Sequence, residues 1–394
     1  MRALALVLLG FLVQEDLQKR RDATAARLEE LRGLAFKAPL GIRAGSRREY
    51  AAFALENARR VYGSDLSAAE RTLKTLGLLP SLLRLDLALT AHAALGVKVF
   101  CTGKEILLLD PAAPDDLLLN KMALGLIDQH HAPRAAPTYD AQMALASLRM
   151  GDAEVSKHLL WYGGKLPEGH ARKLADGAAE WEKGASRLSS AVLPRLFVRT
   201  ADFTWRRGGA FAAALHAEGG LARLDRAYAE PPASTEHILH PDRYLSGERP
   251  AGIDLGAADG FLAARGWRAS YRTVLGELGT ALALETHFPR EDFAAAAEGW
   301  GGDTLVLYEK EGEAPLVAWA TEWDTEKDAG EFAGPAGRLA AALGGPAANP
   351  RASVLARKTA VALLVDVPGD LKEGLVEALW KGRVTREGTG PYGR

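Results

Sequence analysis

The sequence predicts an α+β fold that is mainly helical, with small antiparallel β pieces. Three observations support this: apolar residues recur at helical spacing, prolines and glycines bound those segments, and short apolar runs occur in pairs around turns. Helices are predicted over residues 14–34, 46–61, 66–76, 82–95, 115–131, 139–161, 170–188, 209–228, 271–284, 324–343 and 370–380. No internal repeat and no low-complexity linker interrupts the pattern.

The predicted strands form three hairpin-like pairs. Residues 98–101 and 105–110 flank a turn that contains Gly103, and residues 304–308 and 316–320 are joined by a short polar connection. Residues 352–367 hold two apolar runs that Arg357-Lys358 separates. Because short turns join strands of opposite direction, each pair is expected to be antiparallel.

The chain divides into four predicted regions. A signal peptide is expected over 1–14, a helical region with a β-hairpin over 15–110, a helical core over 111–290 and an α+β region over 291–394. Arg2 precedes an apolar run to Val13, which suits a signal peptide and is too short to span a membrane. The residues at the cleavage site are not small, so a buried N-terminal element in a cytoplasmic protein is the alternative. The leading prediction is export to the periplasm or the medium.

Composition excludes several classes of partner. The chain has 49 basic and 50 acidic side chains and a net charge of −1, so no field attracts nucleic acid or an anionic membrane. No stretch reaches the roughly 20 apolar residues that a membrane span needs. Cys101 is the single cysteine, which rules out an intrachain disulfide, and its apolar neighbours predict a buried thiol.

Five segments, read in order, resemble exported bacterial zinc metallopeptidases of the HExxH type. The first two are Asn-Lys-Met-Ala-Leu-Gly-Leu-Ile-Asp-Gln-His-His (120–131), which stands where the family carries its zinc-binding helix, and Leu-Arg-Met-Gly-Asp-Ala (148–153). The others are a Pro-Pro-Ala-Ser-Thr segment that ends in Leu-His-Pro (231–241), Gly-Trp-Gly-Gly-Asp (299–303) and Trp-Asp-Thr-Glu-Lys-Asp-Ala-Gly-Glu-Phe (323–332). The resemblance runs from about Leu31 to Leu343 and implies a zincin-like, mainly helical scaffold whose degenerate core lies in 111–290.

The resemblance also implies that the zinc chemistry is lost. Two histidines four residues apart grip zinc in the family, the glutamate between them is the general base, and a glutamate of the next helix is the third ligand. This sequence has Asn120 and Leu124 at the histidine positions, Lys121 at the base position and Met150 at the glutamate position. A charged lysine cannot accept a proton, and leucine has no donor atom. No metal and no other cofactor is therefore expected.

The leading functional hypothesis is a pseudopeptidase that binds a peptide or protein ligand or acts as a scaffold, and a purely structural role is a further possibility. The competing hypothesis is a hydrolase with relocated catalytic residues, namely Asp128, Glu154, His158 and His240. The candidate cleft residues are Asp128, His130, Asp152, Glu236 and His240. His240 either stabilises an oxyanion or fixes the turn before Pro241, and Ser234 with Glu236 fits a helix start.

Overall fold

Helices surround three small sheets in the computed structural model, which describes residues 2–110, 112–185, 194–290, 293, 295–344 and 351–385. The helices are α1 Arg2–Arg32, α2 Arg47–Tyr62, α3 Leu66–Thr75, α4 Leu85–Gly96, α5 Asp115–His130, α6 Tyr139–Trp161, α7 His170–Ala185, α8 Arg195–Asp202, α9 Gly208–Ala229, α10 Thr235–Leu239, α11 Pro241–Ser246, α12 Gly256–Ala263, α13 Gly276–Glu285, α14 Glu326–Ala342 and α15 Gly369–Leu379. A π-helical turn over Phe203–Arg207 joins α8 to α9. The predicted α+β class is confirmed.

The strands form sheets of three, two and five members within the described residues. Their bounds are β1 Gly41–Ala44, β2 Val99–Cys101, β3 Glu105–Leu108, β4 Gly252–Asp254, β5 Arg268–Thr273, β6 Trp300–Glu309, β7 Leu316–Trp323, β8 Ala352–Arg357, β9 Ala360–Val365 and β10 Arg383–Thr385. The sheet orders are β1-β3-β2, β10-β4 and β5-β6-β7-β9-β8. All pairs are antiparallel except β1 with β3, which is parallel. The strand β1 was not predicted from the sequence.

All three predicted hairpins are present, whereas one predicted helix is wrong. Residues 271–284 were expected to form a single helix, but β5 continues to Thr273 and α13 begins only at Gly276. Gly276 has a φ of 74°, and a Cβ there would lie 1.9 Å from the Asp140 carboxylate, so helix cannot run through it. The helix predicted over 170–188 is α7, and its predicted end lies outside the described residues.

The helices α5 and α6 pack against each other. The sheet β1-β3-β2 contacts α5, and α6 contacts α1, α5, α9 and the π-helical turn. Both helices bury residues on most of their faces, and Thr138 caps the start of α6 by accepting from the backbone N–H of Ala141. A helix that is buried all round loses its hydrophobic periodicity, so α5 and α6 are recognisable mainly by their proline boundaries.

Small residues allow the closest helix approach in the core. A Cβ added to Gly151 on α6 would lie 2.0 Å from the carbonyl oxygen of Gly208, and a Cβ on Gly208 would lie 2.4 Å from that of Ser147. Backbone therefore meets backbone where α6 crosses the start of α9. This contact holds the π-helical turn against α6.

A buried carboxylate holds α13 against the five-stranded sheet. Asp303 is fully buried and accepts hydrogen bonds from the backbone N–H groups of Leu275 and Gly276 and from the indoles of Trp300 and Trp319. Burial raises its pKa to about 6, although these four donors favour the charged form. The Gly-Trp-Gly-Gly-Asp segment thus caps a helix through its aspartate.

Within the residues that the structure describes, no helix combines the length and apolar character that crossing a bilayer requires. The helix α1 begins at Arg2, so the segment expected to be a signal peptide continues into the helix that was expected to start at Gln14. From Leu17 onward this helix packs into the core, where Leu17 and Leu28 are buried. Export itself stays a prediction.

Candidate functional site

Four positions correspond to the zinc ligands and the general base of the resembling family. Three of them lie in contact at the interface of α5 and α6. The Nζ atom of Lys121 lies 3.0 Å from the Oδ1 atom of Asn120 and 3.8 Å from the Sδ atom of Met150. Leu124 is buried in the apolar cluster against which Met150 packs. Asn120, Lys121 and Met150 therefore come together, with the Lys121 ammonium between the other two.

A buried ion network on α6 lies beside Asn120 of α5. The Glu154 carboxylate accepts a hydrogen bond from Asn120 Nδ2 at 3.1 Å, and it lies 2.6 Å from Lys157 Nζ and 3.2 Å from His158 Nε2. Burial opposes ionisation of Glu154, but the hydrogen bond from His158 and the ion pair with Lys157 outweigh it and lower the pKa to about 2. Because His170 Nε2 lies 3.0 Å from His158 Nδ1, the network continues to the start of α7.

The charge at position 121 is held in an apolar setting. Burial lowers the pKa of Lys121, although the nearby Glu154 carboxylate favours the ammonium. Cys101 lies on the neighbouring strand β2, and its burial, as expected, raises the pKa of its thiol to about 11. No group in this cluster combines the basicity and access that a general base needs.

Three of the five candidate cleft residues are held by hydrogen bonds from basic side chains of the protein. Asp128 accepts a bidentate hydrogen bond from Arg149, and Asp152 is buried against Arg32 and the Tyr228 hydroxyl. Glu236, the third, shares a guanidinium as described next. They are held by cations of the chain and are not presented to a ligand.

One cluster of carboxylates has the geometry of a cation site, but a side chain fills it. Among the described residues, only Glu236, Glu248 and Asp324 bring three potential metal-ligand atoms within 4.8 Å of one another. The guanidinium of Arg243 lies 2.7, 2.9 and 2.8 Å from these carboxylates. Asp128, Glu154 and His158 form no such group, so the displaced metal site that these residues offered in the sequence is not assembled.

A large cleft opens where α5 ends and α6 begins. It encloses about 1000 Å³ and includes His130, the fourth candidate cleft residue. The Nε2 atom of His130 lies 2.8 Å from the carbonyl oxygen of Ala35, and the neighbouring His131 ring stacks on Tyr228 with centroids 4.0 Å apart. The lining is rich in proline and alanine, namely Ala132, Pro133, Ala135, Ala136, Pro137, Ala141, Ala229, Pro231, Pro232, Ala233 and Pro250.

The charged side chains of this cleft are mostly basic. Arg134 and Arg249 are exposed and form no ion pair with any residue in the described part of the chain, while Arg149 is neutralised by Asp128. Glu230 is the single acidic residue among the lining residues. The cleft therefore combines an apolar floor with two unpaired guanidinium groups.

The fifth candidate, His240, lies at a separate cavity of about 240 Å³. Its Nε2 atom lies 3.1 Å from the carboxylate of Glu277, a buried residue of α13. The hydrogen bond to Glu277 raises the pKa of His240. Sequence reasoning missed Glu277 and the two cleft arginines, because only the tertiary fold brings 277 to 240 and brings 134 to 249.

Comparison with known proteins covers only part of the chain. Residues 265–371 match a domain of unknown function (DUF8575). No curated protein and no solved structure matches the chain. The match begins just before β5 and ends inside α15, so it includes α13 and the five-stranded sheet. Over that stretch the chain is similar to a domain to which no activity is assigned.

Proposed function

We propose that this protein is a non-catalytic member of the HExxH metallopeptidase-like proteins, on a zincin-like scaffold, and that it binds a peptide without cleaving it. The contact of Lys121 Nζ with Asn120 and Met150 is the observation that carries this proposal. In the resembling family these positions meet at a zinc ion. Here the ammonium supplies the positive charge at their meeting point.

The chemistry of the four positions opposes metal binding. An amide and a thioether are poor zinc ligands in such a site, leucine has no lone pair, and an ammonium repels a second cation. Asn120 is 1% exposed and donates to Glu154, so its amide is already committed to the ion network. The carboxylate that contacts this set among the described residues, Glu154, is balanced by Lys157.

The cleft supports peptide binding by an acidic, extended segment. Proline and alanine side chains offer an apolar surface without large protrusions, and the volume of about 1000 Å³ is at the upper end of the range of small-molecule sites, which leaves room for several residues of a peptide. Arg134 and Arg249 can each pair with a carboxylate in a bidentate manner. We therefore expect aspartate or glutamate side chains in the ligand.

The hydrolase alternative has no comparable support in the geometry. Asp128 pairs with Arg149, Glu154 with Lys157 and His158, and His240 with Glu277, which makes three separate networks. None of these four residues lines the large cleft. Of the four, His240 lines the small cavity, where its partner is the buried carboxylate of Glu277.

Restoring the zinc ligands tests the scaffold. The fourfold variant Asn120→His, Lys121→Glu, Leu124→His and Met150→Glu should bind zinc and gain thermal stability when zinc is added, because a ligand of the folded state stabilises it. The matched control carries Leu124→Gln in place of Leu124→His and should bind zinc at least about 10-fold more weakly. A folded fourfold variant whose melting temperature ignores zinc would show that these positions do not converge on a metal site.

Peptide binding is tested separately with labelled decapeptides. Alternating glutamate and alanine should bind in fluorescence anisotropy, and the lysine–alanine counterpart should not. The double variant Arg134→Gln and Arg249→Gln should weaken binding about 10-fold, equivalent to about 1.4 kcal/mol. Arg48→Gln, an exposed change on α2, is the matched control and should leave affinity unchanged. Equal binding of the two peptides, or none, would contradict the assignment of the cleft.

A further inference from the structure

The 240 Å³ cavity beside His240 is built from α13, the π-helical turn and the ends of α7, α8 and α10. One face of α13 lines it in the order Glu277, Leu278, Ala281, Leu282 and Glu285. This spacing of 1, 3, 1 and 3 residues keeps all five side chains on one side of the helix. The face is thus acidic at both ends and apolar between them.

At the Glu277 end, one donor among the described residues, the Nε2 atom of His240, faces two carboxylate oxygens. Glu277 is 5% exposed, and both of its oxygens lie 3.1 Å from the Nε2 atom of His240. A single N–H group serves only one acceptor well, and the Oε2 atom receives no hydrogen bond. Glu298 adds a second carboxylate to this end of the lining. A buried carboxylate oxygen that lacks a donor is costly, so a ligand that donates here is favoured.

The end at Glu285 has the opposite charge. Three arginines, Arg199, Arg207 and Arg290, face two glutamates, Glu182 and Glu285. The pair of Arg207 with Glu182 is bidentate, at 2.8 and 2.7 Å. The Nε atom of Arg199 lies 2.9 Å from Glu285 Oε1, yet neither of these atoms, nor Glu285 Oε2, makes an aligned hydrogen bond.

One net positive charge therefore remains at this end, with the Nε–H group of Arg199 as an unused donor and the two Glu285 oxygens as unused acceptors. Arg199 is 4% exposed, so water does not readily satisfy its Nε–H group. Arg290 is more exposed and lies 3.3 Å from Glu182 and 3.8 Å from Glu285. Carboxylates are the natural partners of such guanidinium groups.

We propose that this cavity binds a small zwitterion of dipeptide length, with its amine on Glu277 and its carboxylate on Arg199 and Arg290. Eight residues of α13 separate the two ends, which corresponds to about 12 Å at 1.5 Å per residue. Hydrogen bonds of about 2.9 Å at each end leave roughly 6 Å between the amine and the carboxylate of the ligand. A dipeptide and an aliphatic ω-amino acid both span that distance, and both place apolar atoms against Leu278 and Leu282.

The proposal is independent of the large cleft, because no residue lines both spaces. Isothermal titration calorimetry with alanyl-alanine and with 5-aminopentanoate tests it directly. At least one of these zwitterions should bind saturably, and the ratio of the two affinities identifies which class the cavity prefers. Pentylamine and pentanoate each carry one of the two charges and should bind at least 10-fold more weakly. Absence of saturable zwitterion binding, or equal binding of pentylamine, would overturn the proposal.

Two variants locate the ligand. Glu277→Gln should lower the affinity for the zwitterion at least 10-fold, and Arg290→Gln should lower it about 5-fold. Glu313→Gln, in the exposed turn between β6 and β7, is the matched control and should bind like the parent. Arg290 is partly exposed, so its variant decides the question even where Glu277→Gln fails to fold. Parent-like binding by folded variants at both positions would exclude this cavity as the site.

Discussion

The lysine at position 121 combines two roles that oppose each other energetically. Its ammonium donates to Asn120, which is favourable, while burial of the charge lowers its pKa. Replacing it by methionine removes both effects, so the sign of the change at a single pH is a balance of similar magnitudes. The dependence on pH separates them, because only the charge titrates.

We expect the parent to become more stable than it was relative to the Lys121→Met variant as the pH rises toward 10.5. A lysine whose folded pKa is lowered binds fewer protons when folded, so the parent gains free energy of unfolding between that lowered pKa and 10.5. The gain is about 1.4 kcal/mol for each unit of lowering. Urea denaturation from pH 7 to 10.5 measures it, with the exposed Lys104→Met as control. A constant difference between parent and variant would show that Lys121 is solvated.

Glu236 gives a prediction of opposite form. Burial raises its pKa to about 9, although Arg243 opposes the rise. The nearby carboxylates of Glu277, Asp324 and Glu248 raise the pKa further. An acid with a raised folded pKa contributes stability below pH 4.5 that is lost as pH rises toward 9. Glu236→Gln copies the protonated form, so the variant should gain stability over the parent from pH 5 to pH 9.

Guanidinium denaturation at pH 5, 7 and 9 checks this expectation. Glu248→Gln, which removes a more exposed carboxylate from the same arginine, is the comparison. A Glu236→Gln variant that is equally destabilised at all three values would show that Glu236 is ionised in the folded protein.

At the scale of elements, the crossing of α6 and α9 should be the most sensitive contact in the core. Gly151→Ala places a Cβ 2.0 Å from the Gly208 carbonyl oxygen, so the helices must separate, at a cost of about 2–3 kcal/mol. Gly177→Ala on α7 meets nothing within 4 Å and should stabilise by up to about 1 kcal/mol. Thermal unfolding of the two variants compares them. Equal stability would mean that α6 and α9 separate at little cost.

The same scale shows which elements a sequence can predict. Pro114 precedes α5 and Pro137 precedes α6, and both helices are rich in apolar residues. Both helices were therefore predicted almost to the residue. The strand β5 was missed because its only strand partner is β6, some thirty residues later. Three of its six residues are exposed and only Thr273 is buried, so it lacks an apolar strand pattern, and Val274 and Leu275 after it resemble the start of a helix. The turn at Gly276 depends on Asp140, which local pattern cannot reveal.

At the scale of the whole molecule, the five segments that carry the resemblance meet in pairs. Lys121 contacts Met150 and Asp128 pairs with Arg149, which joins the first segment to the second, and the Asp324 N–H donates to the Gly299 carbonyl oxygen, which joins the fifth to the fourth. Glu236 of the third segment and Asp324 of the fifth share the guanidinium of Arg243. The contact of Asn120, Lys121 and Met150 was predictable from the alignment of two segments. The cleft arginines and the cavity around Glu277 were not, because each assembles residues from more than three separate elements.

The intact protein should be indifferent to metal. Its melting temperature should change by less than about 1 °C with excess EDTA or with equimolar zinc, since no ligand of the folded state is removed or added. Elemental analysis of protein purified without chelators should find far less than one zinc per chain, and casein should stay intact. Chelator-sensitive cleavage of casein that is abolished by changes in α5 would refute the non-catalytic assignment.

The position of the Lys121 ammonium also has a consequence for supply. A zinc protein is complete only after its host has delivered an ion, and it competes for that ion with every other zinc protein in the compartment. The cation between Asn120 and Met150 is instead the ammonium of Lys121, which is part of the polypeptide. It cannot be exchanged for copper or lost during metal starvation. On the proposed non-catalytic assignment, folding of this chain therefore requires no supply of metal.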